Sequence, residues 1–330
     1  MPEVTKATDV YFTLNNGKKI PALGLGTVPS GDPSGVKDQV KTAVKAGFRL
    51  IDTAWYYGTE KYVGEALKEL FEEGVVKRED IFITTKVWPS FYHNPEKSLN
   101  QSLETLGLDY VDLFLQHWPI ALSGDENGKP PGPKDENGNL KYDDDPVNGT
   151  KFIEVYKNLE KILETTNKTK SIGISNYSLD RLKKLLPEIK ITPVVNQIEF
   201  HPQLSQQKDL IEFSEKNNIR IECYSGYGGT GAPLLKLPLV KDLASKYNVT
   251  ENEIINAYDI LEGRIIIPRS SNLERIKNIT KLPQLTKDEL KQLDQLGEKD
   301  PKRYVNDPWG YGIGFKGWEG DKLSEPFEKK

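Results

Sequence analysis

Along this chain, short apolar runs alternate with longer stretches in which apolar residues recur every three or four positions. The runs fall at Leu23–Leu25, Phe48–Ile51, Ile81–Thr85, Val111–Leu115, Ser171–Ile174, Pro193–Ile198, Ile219–Tyr224 and Arg264–Ile267, and each has the length of a buried strand. Helical spacing fills the intervals: Gly35–Ala46, Glu60–Glu72, Pro95–Leu106, Phe152–Thr165, Leu179–Leu186, Gln206–Lys216, Val240–Tyr247 and Glu251–Leu261. Thr250-x-x-Glu253 and Thr286-x-x-Glu289 are capping boxes, and the second opens a helix with Leu290, Leu293 and Leu296 on one face.

Strands alternating with helices predict parallel βαβ units and an α/β fold. Eight such units close into a (β/α)8 TIM barrel; the rival is an open doubly wound sheet. That rival, when it binds a dinucleotide, carries a Gly-x-Gly-x-x-Gly turn after its first strand. The corresponding stretch here, Gly24-Leu25-Gly26-Thr27-Val28-Pro29, does not fit, so a barrel in one domain over 1–330 is expected. Residues 1–21 predict a hairpin, Tyr11–Leu14 and Lys18–Pro21 around Asn15-Asn16-Gly17, placed to plug the bottom of the barrel.

Two segments interrupt the alternation. Residues 119–149, rich in Pro, Gly, Asp and Asn, follow the fourth strand, and the glycine-rich 225–232 follows the seventh. Both long loops would lie on the C-terminal face, where barrels of this class carry their sites. The tail, 300–330, holds Tyr304, Trp309, Tyr311, Phe315 and Trp318 among glycines. It is expected to fold over the pocket; a poorly ordered terminus is the alternative.

Composition narrows the classes. Hydrophobic residues are 36% and charged residues 28%, which gives a large core and excludes wholesale disorder. A net charge of −4 provides no field for nucleic acid or an anionic membrane. No apolar run approaches the ~18 residues of a membrane span, and the first residues lack the apolar core of a secretory signal, so a cytoplasmic protein is expected. The single cysteine, Cys223, excludes intrachain disulfides and Cys-based zinc sites, and no metal is expected. Walker A, His-Glu-x-x-His and Gly-x-Ser-x-Gly motifs are absent from the sequence.

What remains is a set of polar residues where the apolar strands stop. The second strand runs into Asp52-Thr53-Ala54-Trp55-Tyr56-Tyr57, the third into Lys86-Val87-Trp88, and the fourth into His117-Trp118-Pro119. Asp52, Lys86 and His117 are spaced by about one βα unit each, so they fall side by side around the rim, next to Tyr57. A lone Lys or His at a strand end is ordinarily structural. This foursome is hard to account for by packing.

With these segments the sequence resembles the aldo-keto reductase family over nearly its whole length. The resemblance is carried by Gly47-Phe48-Arg49-Leu50-Ile51-Asp52-Thr53-Ala54-x-x-Tyr57, Thr84-Thr85-Lys86-Val87-Trp88, Leu115-Gln116-His117-Trp118-Pro119, Gly173-Ile174-Ser175-Asn176 and Ile267-Pro268-Arg269-Ser270. Within the family it is most similar to the yeast D-arabinose 1-dehydrogenase type, through the insert after Pro119, Gly231-Ala232-Pro233, Pro238-Leu239-Val240-Lys241 and Lys246-Tyr247-Asn248-Val249-Thr250.

The resemblance implies a carbonyl reductase using NADPH/NADP+, NADH being possible and weaker, with Tyr57 as general acid. A free phenol titrates near ~10. An ammonium ~4 Å away supplies about 4 kcal/mol at an effective dielectric of ~20, enough to lower that by roughly 2–3 units. Lys86 would be that ammonium, Asp52 its counter-ion, and His117 the donor to the substrate oxygen. By the same carry-over, Ser175, Asn176 and Gln197 would hold the nicotinamide carboxamide, Tyr224 would stack on the ring, and Ser225 with the glycines after it would approach the pyrophosphate. The family usually has Ser-Pro-Leu-Gly where this chain has Ser225-Gly226-Tyr227-Gly228. Arg269, Ser270 and Arg275 match the positions for a 2′-phosphate, and Asn278 the adenine contact. Trp55, Trp88 and Trp118 would wall the substrate pocket, with Val28 widening it.

The expected reaction is interconversion of carbonyls and alcohols, as an aldose or D-arabinose 1-dehydrogenase that also reduces aldehydes and dicarbonyls. The expected partners are a small carbonyl or sugar, with neither nucleic acid nor membrane, and the protein a monomer or homodimer. The alternatives are a reductase of conjugated ketones or α-diketones, a nucleotide-sensing binding protein of the same fold, and a Schiff-base lyase using Lys86. The last leaves Tyr57, Ser175 and Gln197 unexplained.

Overall fold

The computed structural model describes residues 2–123, 132–205, 207–306, 308–315 and 318. In chain order the strands are β1 Val4–Lys6, β2 Tyr11–Thr13, β3 Lys19–Pro21, β4 Leu25–Gly26, β5 Leu50–Asp52, β6 Phe82–Val87, β7 Leu113–Gln116, β8 Ile172–Ser175, β9 Val195–Glu199, β10 Arg220–Tyr224, β11 Ile265–Ile266 and β12 Lys281–Pro283. The helices are α1 Val36–Lys45, α2 Glu60–Glu72, α3 Pro95–Leu106, α4 Lys151–Thr165, α5 Leu179–Leu185, α6 Lys208–Lys216, α7 Pro238–Tyr247, α8 Glu251–Leu261, α9 Leu273–Lys277 and α10 Lys287–Lys299. Every apolar run became a strand and every periodic stretch a helix, with ends shifted by a few residues. Both capping boxes form, on Thr250 and Thr286.

Strands β4 to β11 make one eight-stranded parallel sheet in sequence order. Its two edges meet. Leu23 bridges Ile266 in parallel, Gly24 N–H donates to Ile266 O at 2.9 Å, and Ile266 N–H donates to Ala22 O at 2.9 Å. The sheet therefore curls on itself in the manner of a (β/α)8 barrel. Glycine is required at the seam, because a Cβ on Gly24 would lie 2.5 Å from Leu50 Cγ.

Because successive strand residues face opposite sides, one set of alternate positions fills the interior. Low in the barrel these are Leu50, Phe82, Leu115, Val195 and Ile265, packed with Leu14 and Ile20 of the N-terminal hairpin. The pairing of β2 with β3 and this packing place the hairpin as a plug, as the sequence implied. One step further along the same strands the interior turns polar: Asp52, Lys86, Gln197 and Glu222 are all buried. The other alternate set, such as Ile51, Ile83, Phe114 and Cys223, packs against the helices.

The antiparallel pairing of β1 with β12 was not foreseen; it ties the first residues to the segment after α9. The insert is only partly as expected. Residues 124–131 lie outside the described residues. Beyond them Lys134 bridges Leu140, Tyr142 bridges Leu122, and Asp135 and Asp145 cap turns, so 132–149 has local structure rather than none.

Candidate active site

Lys86, on β6, is fully buried, and each of its three N–H donors is used: Nζ donates to Asp52 Oδ1 at 2.7 Å, to Thr53 O at 2.9 Å and to the Tyr57 oxygen at 3.1 Å. Tyr57 reaches this point because β5 ends in an extended Ala54 and a single 3-10 turn, Trp55–Tyr57, closed by Gly58 in the left-handed region (φ 66°). The Tyr57 oxygen thus accepts from an ammonium that has no further proton to share, and its own O–H is left to donate elsewhere. Its ring meets that of His117 edge-on, with centroids 5.7 Å apart. The four residues picked out at the strand ends are brought together.

Electrostatics corrects one expectation. Burial is the largest influence on Tyr57 and outweighs the pull of Lys86, so its phenol is pushed up to about 12 rather than down. The attraction of Lys86, about 4 kcal/mol at an effective dielectric of ~20, is outweighed by the cost of forming a phenolate out of water. Burial also opposes the charge on Lys86, yet Asp52 and Tyr57 facing it hold its pKa above the ordinary lysine value. His117 is held well below the usual histidine range by burial and by Lys86, so its imidazole is neutral. Its Nδ1 is buried with no partner among the described residues. Buried N–H groups without a partner are rarer than under-satisfied acceptors, which assigns the single N–H to Nε2, available to an oxygen in the cleft.

The positions that the resemblance assigns to a nicotinamide form one connected patch. Asn176, in the left-handed region at φ 62°, donates from Nδ2 to His117 O at 2.9 Å and Ser175 Oγ at 3.1 Å, and its Oδ1 accepts from Tyr224 O–H at 2.7 Å. Ser175 Oγ donates to Gln197 O at 2.9 Å. Gln197 Nε2 donates to Asp52 Oδ2 at 2.8 Å and to Glu222 Oε2 at 2.9 Å. With these donors committed, the patch retains lone pairs on Ser175 Oγ, Asn176 Oδ1 and Gln197 Oε1. Three acceptors suit the NH2 of a carboxamide, so the residues fit a nicotinamide. Tyr224 stands at the edge of this patch, half-buried.

Residues 225–232 wind through repeated left-handed conformations, including Ser225 at φ 55° and Gly228 at φ 87°. A Cβ on Gly228 would lie 3.0 Å from both Pro233 and Tyr304, so the loop is pressed against the tail. At the other end, Arg269 donates to Pro29 O at 3.1 Å and Ser30 Oγ at 2.5 Å, across from the loop after β4. Arg275 is exposed, and its guanidinium makes no hydrogen bond or ion pair to the described residues. Ser270 is buried and accepts from Asn272 N–H, and exposed Asn278 donates to Glu274 O.

The aromatic wall differs in membership from the sequence reading. Trp88 and Trp118 are buried beside His117. Trp55 instead packs edge-to-face on Phe91, with centroids 4.9 Å apart. Its neighbour Tyr56 stacks on Trp88 at 3.7 Å and turns an edge to His117. Trp309 from the tail covers both, 5.7 Å from Trp88 and 5.6 Å from Trp118. Val28 is exposed. The described part of the tail packs against the barrel. It is pinned where Arg303 donates to buried Glu199 at 3.2 Å while lying over the Phe315 and Trp318 rings. Residues 307, 316, 317 and 319–330 of that tail lie outside the described residues.

Sequence reasoning missed Tyr56 and Glu222, and named Trp309 only as one of the tail aromatics. For Glu222 a signal existed: a carboxylate in the middle of an apolar strand, two positions before Tyr224 and so on the same face. Among the described residues no group of three or more His, Cys, Asp or Glu could hold a metal ion, and no helix is long and apolar enough to cross a membrane.

The sequence profile described as "Aldo/keto reductase family" matches residues 22–298. A D-galacturonate reductase of Hypocrea jecorina is 41% identical over 310 residues, which cover 92% of this chain and 97% of that protein. A glycerol 2-dehydrogenase (NADP(+)) of Saccharomyces cerevisiae is 38% identical over 317 residues, 94% of this chain and 98% of that protein. The solved aldose reductase of Schistosoma japonicum superposes with a TM-score of 0.80 at 31% identity, covering 90% of this chain and 94% of that one.

Proposed function

The chain belongs to the aldo/keto reductase family, and from that premise we propose that it is an NADPH-dependent reductase of small aldehydes and aldoses with Tyr57 as general acid. The observation that carries the reading is the saturated Lys86 ammonium, which leaves the Tyr57 proton for the cleft.

Bound reduced nicotinamide supplies a hydride to the carbonyl carbon. Ser175, Asn176 and Gln197 are the residues that would hold its carboxamide, and Tyr224 would offer its ring to the nicotinamide. The carbonyl oxygen sits between Tyr57 O–H and His117 Nε2–H. As the oxygen gains charge it takes the Tyr57 proton, and the resulting phenolate is stabilised by Lys86 at 3.1 Å. A phenol near 12 remains a strong enough acid, because an alkoxide is about as basic as hydroxide, whose conjugate acid water has a pKa of ~15.7. The same value leaves little phenolate to act as base at neutral pH.

For the phosphate, Arg269 and unpaired Arg275 support NADPH over NADH, and the S. cerevisiae relative is named for NADP(+). The D-galacturonate reductase relative supports acyclic polyhydroxy aldehydes as substrates. A panel of glyceraldehyde, D-galacturonate, D-arabinose and a dicarbonyl, followed by loss of NADPH absorbance, tests this. Turnover of the aldehydes that disappears in Tyr57→Phe is expected; no turnover of any, or turnover independent of Tyr57, overturns it.

A further inference from the structure

The polar layer under the cleft contains a second carboxylate besides Asp52. Glu222, fully buried on β10, is in register with Gln197 on β9, and the two side chains meet inside the barrel. Its Oε2 accepts from Gln197 Nε2 at 2.9 Å, and the same nitrogen donates to Asp52 Oδ2 at 2.8 Å. Its Oε1 is buried with no partner among the described residues. One hydrogen bond does not offset the burial of an ionised carboxylate, so Glu222 stays protonated until alkaline pH. A group kept on such terms, one amide away from the Asp52–Lys86 pair, has a use beyond filling space.

We propose that Glu222 is a positioning residue of the reaction, which through the Gln197 amide fixes Gln197 Oε1 for the nicotinamide and sets how firmly Tyr57 holds its proton. The inference rests on the function proposed above. Both N–H bonds of Gln197 Nε2 are spent on the two carboxylates, so the amide cannot flip without stranding one of them. Gln197 Oε1 is then the atom left for the carboxamide.

The charge argument follows from the groups that face Glu222. They are Asp52 on β5, Lys86 on β6 and Tyr57 in the turn after β5; β11 contributes apolar Ile265 in register with it. Cys223 faces the other side of the sheet, towards the Asp259–Arg264 ion pair, whose charges are matched there. Burial first, and Asp52 second, push Glu222 up to about 8. Below that pH Glu222 is neutral and the layer carries one matched pair, Asp52 and Lys86. Above it a second negative charge is added in a dry layer, and forming a phenolate at Tyr57 becomes harder. Glu222 thereby opposes the gain in alcohol oxidation that alkali would otherwise bring.

The test is made on the cofactor-free protein with tyrosine labelled at 13Cζ, Tyr57 being assigned by Tyr57→Phe. In Glu222→Gln the Tyr57 titration is expected to fall by about one unit, the effect of a unit charge at ~10 Å through an effective dielectric of ~20. In wild type, with no substitution, the Tyr57 resonance is expected to shift at the pH where the 13Cδ signal of Glu222 titrates. A Tyr57 titration unmoved in Glu222→Gln, or blind to Glu222 in wild type, overturns the proposal. Where wild type turns over carbonyls, the pH profile for alcohol oxidation in Glu222→Gln shifts downward by the same amount, while Glu222→Leu, which removes the acceptor for Gln197 Nε2 that Gln keeps, raises the KM for NADP+; a fall in kcat at unchanged profile, or an unmoved KM in Glu222→Leu, overturns the proposal. Failure of the reductase reading shows separately, as absence of turnover in wild type with the Tyr57 shift intact.

Discussion

The Tyr57 oxygen lies 3.1 Å from Lys86 Nζ and accepts from it, with the other two ammonium protons already given to Asp52 and to the carbonyl of Thr53. Lys86 is therefore a fixed charge and not a proton store. It lowers the energy of the phenolate after the proton has gone to substrate, while burial keeps the phenol intact beforehand. The pair is built to release one proton on demand from a half-buried phenol.

Removing that proton tests the arrangement directly. Tyr57→Phe keeps the ring against His117 and is expected to lower kcat for carbonyl reduction by about 10²–10⁴-fold, the usual contribution of a positioned acid. NADPH should still quench the fluorescence of the nearby tryptophans with unchanged affinity. Retained turnover would assign the proton to another group.

The direction of the Tyr57 shift fixes a pH dependence. An acid near 12 stays protonated throughout the neutral range, so the reduction rate should carry no Tyr57 limb between about pH 6 and 9. Oxidation needs the phenolate, the minor form below that pKa, and its rate should climb with pH without reaching a plateau by pH 10. Initial rates in both directions across overlapping buffers give the answer; an oxidation plateau near neutrality would contradict it.

Arg275 carries an exposed guanidinium with no hydrogen-bond partner among the described residues. If it meets the 2′-phosphate, Arg275→Ala removes a charge-assisted bond of about 1.5–3 kcal/mol, or roughly 10–100-fold in NADPH affinity. NADH affinity should scarcely change. Titration calorimetry with both cofactors decides the matter, and equal weakening of the two would place the phosphate elsewhere.

The tail is held by a buried ion pair, Arg303 to Glu199, at 3.2 Å with side chains 4% and 0% exposed. Cutting one partner leaves the other charge buried, at a cost of about 3–5 kcal/mol. Arg303→Met is expected to free Trp309 from Trp88 and Trp118, raise the KM for substrate, and expose the tail to protease while the barrel stays folded. A tail equally resistant in the variant would show that its aromatic contacts suffice.

Tyr56 stacks on Trp88 and narrows the cleft beside His117. Tyr56→Leu should change the ranking of substrates, favouring bulkier carbonyls through KM, with little change in kcat for the smallest aldehyde. Parallel kinetics with glyceraldehyde and an aromatic aldehyde would reveal the split. An unchanged ratio of kcat/KM would remove Tyr56 from the pocket wall.

Much of this was legible in the linear order of residues. Asp52, Lys86 and His117 close three successive apolar runs, and a parallel sheet must bring such ends together on one face. Less legible were contacts that join distant segments without a local signature: β1 against β12, and Trp309 over Trp88. Tyr56 and Trp55 are neighbours in one turn, and no periodicity says which of them will meet Trp88.

The sequence by itself determined the eight strands, the helices between them and the identity of the four polar groups at the rim, because periodicity and chain order are local facts. The tertiary structure alone decided the energetic state of those groups. Whether Lys86 makes Tyr57 more acidic depends on how much water remains beside the phenol, and whether Glu222 joins Asp52 depends on one amide spanning two strands. Burial and cross-strand geometry are properties of the closed sheet, set by every strand at once and written in none of them singly.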